Sequence, residues 1–234
     1  NKMKTNKLSF WSKTVVLSLA VMAVSSNVVY GQSMNYDVHI GMNTTKYMSN
    51  DDPRMYGQSA KTGMELGFGA RYTMKSGLEL SSGVNLTMSS CSFSAFSDYI
   101  IGNQITTMYP QVNMRNVAID IPLTLGYQIK VCDGVQLTPM VGVYGRYGLF
   151  SIKDDLLITD NPTIEKWNCY KDYKYGDATL SAARRAEFGL ASAVRLTVCN
   201  HYELSLTYRR GLTTQLPQYD GKLHSLSLTL GYRF

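Results

Sequence analysis

Between residues 117 and 129 every second side chain is apolar: Val117, Ile119, Ile121, Leu123, Leu125, Tyr127 and Ile129 share one face, and Ala118, Asp120, Thr124, Gly126 and Gln128 share the other. Successive side chains of a strand point to opposite faces, so this segment reads as a strand with one unbroken apolar face and one polar face that carries charge. The pattern recurs. Leu226, Leu228, Leu230, Tyr232 and Phe234 oppose Ser225, Ser227, Thr229, Gly231 and Arg233. Met64, Leu66, Phe68, Ala70, Tyr72 and Met74 oppose Glu65, Gly67, Gly69, Arg71 and Thr73, and Leu78, Leu80, Val84, Leu86 and Met88 oppose Glu79, Ser81, Gly83, Asn85 and Thr87. A soluble β-sandwich, the competing architecture, turns polar outer faces to water. Segments of about ten residues with an apolar face instead suit strands that cross a bilayer.

Weaker alternation over residues 35–44, 135–149, 186–198 and 202–211 completes a set of eight strands. Their connections alternate in length: long at 45–61, 90–115, 150–185 and 212–221, short at 75–77, 131–134 and 199–201. Short turns belong on the periplasmic side and long loops outside, and with an even number of strands the first and the last strand then both have their free termini on the periplasmic side. Backbone groups in hydrocarbon find no water, so the sheet must close on itself, first strand to last. The expected fold is all-β, an eight-stranded antiparallel transmembrane β-barrel. Tyr36, Tyr72, Tyr127, Tyr202, Tyr232 and Phe234 fall on apolar faces near the short turns, where a membrane interface favours amphipathic rings. Pro122 lies within a strand and predicts a local bulge.

Residues 1–31 carry Lys2, Lys4, Lys7 and Lys13, an apolar run over 15–24 and a small-residue end at Gly31. That is the layout of a cleavable signal peptide; the run is shorter than the roughly twenty residues a spanning helix needs, which argues against a retained anchor. The expected organisation is a signal peptide over 1–31 and one barrel domain over 32–234. Removing the leader takes four of the 23 Lys+Arg and none of the 17 Asp+Glu, leaving a net charge of +2, so the pI near 9.0 points to no nucleic-acid partner. Cys91, Cys132, Cys169 and Cys199 lack zinc or redox spacing. By topology, bridging is possible only between Cys91 and Cys169 outside or Cys132 and Cys199 at the periplasmic turns.

An eight-stranded barrel has an interior that side chains fill, which disfavours a diffusion pore. Alternation sends Asp37, Glu65, Glu79, Asp120, Glu187 and Glu203 inward to meet Arg71, Lys75, Arg146, Arg195, Arg209 and Arg233. Balanced charges in a narrow lumen read as a packed ion-pair network, whereas an ion path or proton relay favours an excess of one sign. His39, His201 and His224 are dispersed, no metal or phosphate-loop motif is present, and no catalytic residue, cofactor or metal is expected. His224 at the outer rim, with a loop serine and carboxylate, is the one arrangement that would suit a lipid-directed enzyme. Trp167, Tyr170, Tyr173 and Tyr175 in the third long loop are candidate outside contacts for sugar, protein or lipopolysaccharide, or cover the barrel mouth.

The segment Ile121-Pro122-Leu123-Thr124-Leu125-Gly126-Tyr127 resembles the PorT-like outer-membrane β-barrel family, whose Ile-Pro-Leu strand ends in an aromatic residue. Residues 139–145 resemble its following Gly-rich strand and 206–212 its penultimate one. Tyr232 and Phe234 are similar to the C-terminal aromatic signal read by the outer-membrane assembly machinery. The resemblance implies an outer-membrane location, with membrane lipid and that machinery as partners. The expected role is that of a non-enzymatic barrel with a structural, envelope-integrity or surface-interaction function; the alternatives are an accessory part of a secretion system, which the resemblance implies, and a lipid-modifying enzyme at the outer rim.

Overall fold

The alternating segments close into a barrel whose interior is polar and whose outside is apolar. A computed structural model describes residues 33–49, 55–95, 97–101, 104–108, 111–157, 163–175, 178–180, 182–216 and 221–234; the segment read as a signal peptide lies outside them. The strands are β1 (Ser33–Met48), β2 (Met55–Thr73), β3 (Leu78–Ala95), β4 (Ser97–Ile101), β5 (Gln104–Met108), β6 (Gln111–Tyr127) and β7 (Ile129–Cys132). Then come β8 (Val135–Leu157), β9 (Thr163–Asn168), β10 (Tyr173–Tyr175), β11 (Ala178–Leu180), β12 (Ala186–Val198), β13 (Tyr202–Gly211) and β14 (Lys222–Arg233). Eight of these, β1, β2, β3, β6, β8, β12, β13 and β14, hydrogen-bond in that order and antiparallel. β14 pairs with β1 from Asp37↔Arg233 to Met48↔Lys222, which closes the sheet.

Among the described residues 26 polar or charged side chains are buried against nine hydrophobic ones, while Leu125, Leu228 and Leu230 are exposed. A water-soluble fold has the reverse arrangement, so the outer wall is made for lipid. The short turns bend where left-handed backbone is available: Gly77 and Gly134 have φ of 84° and 79°, and Cys199 and Asn200 take φ of 51° and 60° between β12 and β13.

Several strands run longer than the alternation indicated. β3 reaches Ala95, β6 starts at Gln111 and β8 runs 23 residues. About nine to eleven residues cross a bilayer, so the remainder stands beyond the membrane on the long-loop side, where β9 joins β8 and β4–β5 and β10–β11 form small hairpins. Ile129 leaves the fourth spanning strand and pairs in β7 with Leu137.

Pro122 makes no bulge. The ladder to β8 passes through Pro122↔Tyr144 unbroken, and the ladder to β3 lapses only between Asn85↔Asp120 and Ser82↔Leu123, in the same register on both sides. The missing N–H therefore falls on the β3 side, where the Ser82 hydroxyl donates to the Pro122 carbonyl at 2.9 Å. In the ladder between β6 and β8 the irregularity is at Leu149 instead: Val117 pairs with Phe150 and Ala118 with Gly148, so Leu149 is the extra residue. Leu149 and Phe150 both face outward as a result, and the inward parity of β8 switches from Arg146 to Ser151.

Candidate functional site

Charged side chains from strands far apart in sequence meet inside the barrel in layers. Nearest the short turns, Arg71 of β2 donates to Asp37 of β1 at 2.5 Å and to both carboxylate oxygens of Glu203 of β13, one of them at 2.7 Å. Arg195 reaches Glu79 at 2.6 Å and lies 3.7 Å from Glu203, and Gln128 donates to the other Glu79 oxygen at 2.7 Å. Arg233 lies 3.9 Å from Glu203 and donates to the Asn200 carbonyl at 2.8 Å. His39 links upward, with one ring nitrogen 2.9 Å from Asp37 and the other 3.2 Å from Asn85.

Glycine makes room for this layer. A Cβ on Gly69 would lie 2.3 Å from the Asp37 carboxylate, and one on Gly67 would lie 2.3 Å from both His39 and Asn85. Inward glycines on β2 thus let polar side chains of β1 and β3 cross its backbone.

In the middle layer Arg209 of β13 grips Glu65 of β2 with two hydrogen bonds of 2.7 and 2.8 Å, and Ser227 donates to Glu65 at 2.9 Å. Arg146 of β8 holds Asp120 of β6 in the same way at 2.6 and 2.7 Å, with Thr87 donating at 2.9 Å. Such forked pairs are the strong form of the Arg–carboxylate interaction. Above them the Tyr144 hydroxyl donates to Glu187.

The outer end of the interior holds an apolar cluster beside buried Asn116, Ser151 and Gln215. Tyr47, Cys91, Met114, Cys169 and Leu223 form a buried cluster, with Tyr47 donating to Gln215 at 2.6 Å and accepting from Asn116 at 3.1 Å. Tyr170 folds down over Gly148, where a Cβ would collide with its hydroxyl, and its ring lies 4.5 Å under the Arg185 guanidinium. Between the layers there remains a cavity of about 90 Å³ beside Asp37, His39, Glu65, Ser81, Arg195 and Glu203.

Of the inward charges read from the sequence, Asp37, Glu65, Arg71, Glu79, Asp120, Arg146, Glu187, Glu203, Arg209 and Arg233 are buried, and Arg195 is nearly so. Lys75 is not among them. It is exposed in the turn between β2 and β3, past the point where strand parity has meaning. Tyr127, Tyr202, Tyr232 and Phe234 are exposed at the short-turn end, Tyr36 stacks on Phe68 with ring centres 6.0 Å apart, and Tyr72 is half-buried. A second aromatic set, Tyr147, Phe150, Phe188 and Tyr208, rings the opposite end. The sequence reading missed it, although parity on β12 and β13 was signal enough.

Of the candidate outer contacts, Tyr170 is half-buried between Gly148 and the Arg185 guanidinium, and the side chains of Trp167, Tyr173 and Tyr175 lie outside the described residues. Cys91 belongs to β3 and not to a loop, and it shares the apolar cluster with Cys169; all four cysteines are thiols. The histidines stay apart: His39 in the lumen, His201 in a periplasmic turn, and His224 outside, 2.7 Å from the Tyr208 hydroxyl. Among the described residues no group of three His, Cys, Asp or Glu is placed to hold a metal ion.

A closed barrel with a lipid-facing wall and a charged, filled interior matches one family model, described as the outer membrane protein beta-barrel domain, over residues 14–234. The chain belongs to this family. It is therefore an outer-membrane β-barrel protein, and the match begins within the segment read as a leader. Among curated proteins none matches it. Solved structures similar to it include Ail, the attachment invasion locus protein of Yersinia pestis, at 13% identity over 86% of this chain and 99% of that one, with a TM-score of 0.39. Neisserial surface protein A is 12% identical over 88% and 100% with a TM-score of 0.40, and OprG of Pseudomonas aeruginosa 12% over 87% and 97% with a TM-score of 0.40. The family assignment rests on the family model and not on these likenesses.

Proposed function

We propose that this outer-membrane barrel is a sealed, non-enzymatic wall element that serves envelope integrity or contact at the cell surface. The observation that supports this reading is the filled lumen. Arg71, Arg209 and Arg146 span to Glu203, Glu65 and Asp120, and an apolar cluster lies above them. Ion pairs this well hydrogen-bonded hold strands together and fill the lumen with fixed side chains, an interior suited to sealing the barrel more than to conduction or nucleophilic chemistry. Membrane lipid and the outer-membrane assembly machinery are its expected partners.

The Ile121-Pro122-Leu123 strand favours a second reading, a PorT-like accessory component of a secretion system. A clean deletion distinguishes the two. The wall-element role predicts greater sensitivity to detergent and to bulky antibiotics with secreted proteins unchanged. Loss of secreted cargo with an intact permeability barrier would overturn it in favour of the accessory role. Release of acyl products from lipid by the purified barrel would instead support the lipid-modifying enzyme.

A further inference from the structure

The barrel's described strand carboxylates with known side-chain placement all point into the lumen, yet several cations do not. On the outer face, Arg210 of β13 pairs in register with His224 of β14, which pairs in turn with Lys46 of β1. Lys222, paired with Met48, is the next outward position on β14 beyond His224. Three adjacent strands thus set Arg210, His224 and Lys46 in one row with Lys222 just above it. Arg210 is exposed and the other three are half-buried, and none has an ion pair with a described carboxylate. Directly cross-strand side chains start about 5 Å apart, so the two long cations flank His224 on either side.

Height places the row. Beneath it on the same strands lie Tyr208, Leu226 and Thr44, then Leu206, Leu228 and Met42, then Leu204, Leu230 and Ile40, down to Tyr202, Tyr232 and Val38. Eight residues separate the Tyr202 row from the Arg210 row, a rise of roughly 20 Å for tilted strands, against an apolar band of about 25 Å. The cations therefore stand where hydrocarbon gives way to the headgroups of the outer leaflet. The Tyr208 hydroxyl, 2.7 Å from His224 Nδ1, fixes the ring; when it donates there, the Nε2 proton faces outward as one more donor.

We propose that Lys46, Arg210, Lys222 and His224 form a binding site on the outer wall for the phosphate headgroup of an outer-leaflet glycolipid. Among the described residues the cations of this row have no carboxylate beside them on the outer wall; cations at a headgroup boundary attract lipid phosphate, and Arg and Lys are the residues that bind it. The acyl chains of the same lipid lie against the Leu206, Leu228 and Met42 rows below.

The test uses the full folded chain in detergent, titrated with diphosphorylated lipid A and read by native mass spectrometry. The site predicts retained adducts that weaken as salt rises, and at least a tenfold loss of adduct in the Lys46→Ser, Arg210→Ser double variant. A Lys75→Ser, Lys130→Ser variant, which removes the same charge at the opposite end, keeps them. Dephosphorylated lipid A binds at least tenfold more weakly than the diphosphorylated form to the native chain. Equal binding of the two lipids, or undiminished adducts on the Lys46, Arg210 variant with its barrel intact by heat-dependent gel migration, would overturn the proposal. Displacement of the lipid by millimolar inorganic phosphate would overturn the lipid assignment and make this a free-phosphate site.

Discussion

The Glu65–Arg209 pair joins β2 to β13 across the lumen, and removing either partner should be costly in a way that removing both is not. Their side chains are 2% and 3% exposed. Glu65→Ala deletes both forked hydrogen bonds and leaves Arg209 in the interior; its nearest remaining carboxylate oxygen, on Asp120, is 3.9 Å away. Stranding a buried charge in this way costs about 3–5 kcal/mol. Arg209→Met strands Glu65 in the same way, although Ser227 at 2.9 Å and Asn85 at 3.3 Å still donate to it, so its cost belongs at the lower end of that range. In the double variant neither charge is left alone. Its cost should fall short of the sum of the singles by about 2–3 kcal/mol, the upper range of pairwise coupling. Urea unfolding in lipid vesicles, followed by the shift between folded and unfolded bands on unheated gels, measures all three. Single costs below about 1 kcal/mol that simply add, as for exposed pairs, would refute a desolvated network.

Leu228→Arg puts a charge against lipid near mid-strand and should cost about 2–4 kcal/mol of folding stability, whereas Thr124→Arg enters the polar lumen beside the cavity and should rank below it; equal damage in vesicle folding would contradict the assigned faces. Gly69→Ala drives a Cβ to 2.3 Å from Asp37 and should lower the urea midpoint by the equivalent of about 1–3 kcal/mol, while an unchanged midpoint would mean the β1–β2 crossing is looser than described. Mild oxidation should join Cys91 to Cys169, which share one cluster, and not Cys132 to Cys199. Cys132 pairs with Val135 on one edge of β8 while Cys199 bonds Gly134 beside the other, a separation of about 10 Å across two strand spacings, too far for a bridge. A mapped Cys91–Cys132 bond would show the strand directions to be wrong.

Period-two alternation carried most of this architecture in the sequence. It is legible because lipid and lumen make opposite demands on neighbouring residues; β12 and β13, bounded by a tight turn, have the limits the sequence indicated. Where both faces leave the membrane the contrast vanishes. Ser90, Cys91 and Ser92 at the far end of β3 read as loop although the ladder continues through them. Parity also misleads when carried past a strand end, as at Lys75, or through an extra residue, as at Leu149. The inward charges followed from parity, but their partners did not. Arg209 and Glu65 are 144 residues apart, and which acid meets which arginine depends on strand tilt and barrel closure, which no local pattern encodes. The outer row of Lys46, Arg210 and His224 was hidden for the same reason, since only register brings them level.

The sealed interior is tested most directly by conductance. Folded protein in a planar lipid bilayer under applied voltage should show no discrete openings above leak, because the Arg71, Arg209 and Arg146 pairs and the Tyr47–Leu223 cluster close the lumen along its length. Reproducible, stepwise currents from the native protein would contradict the account.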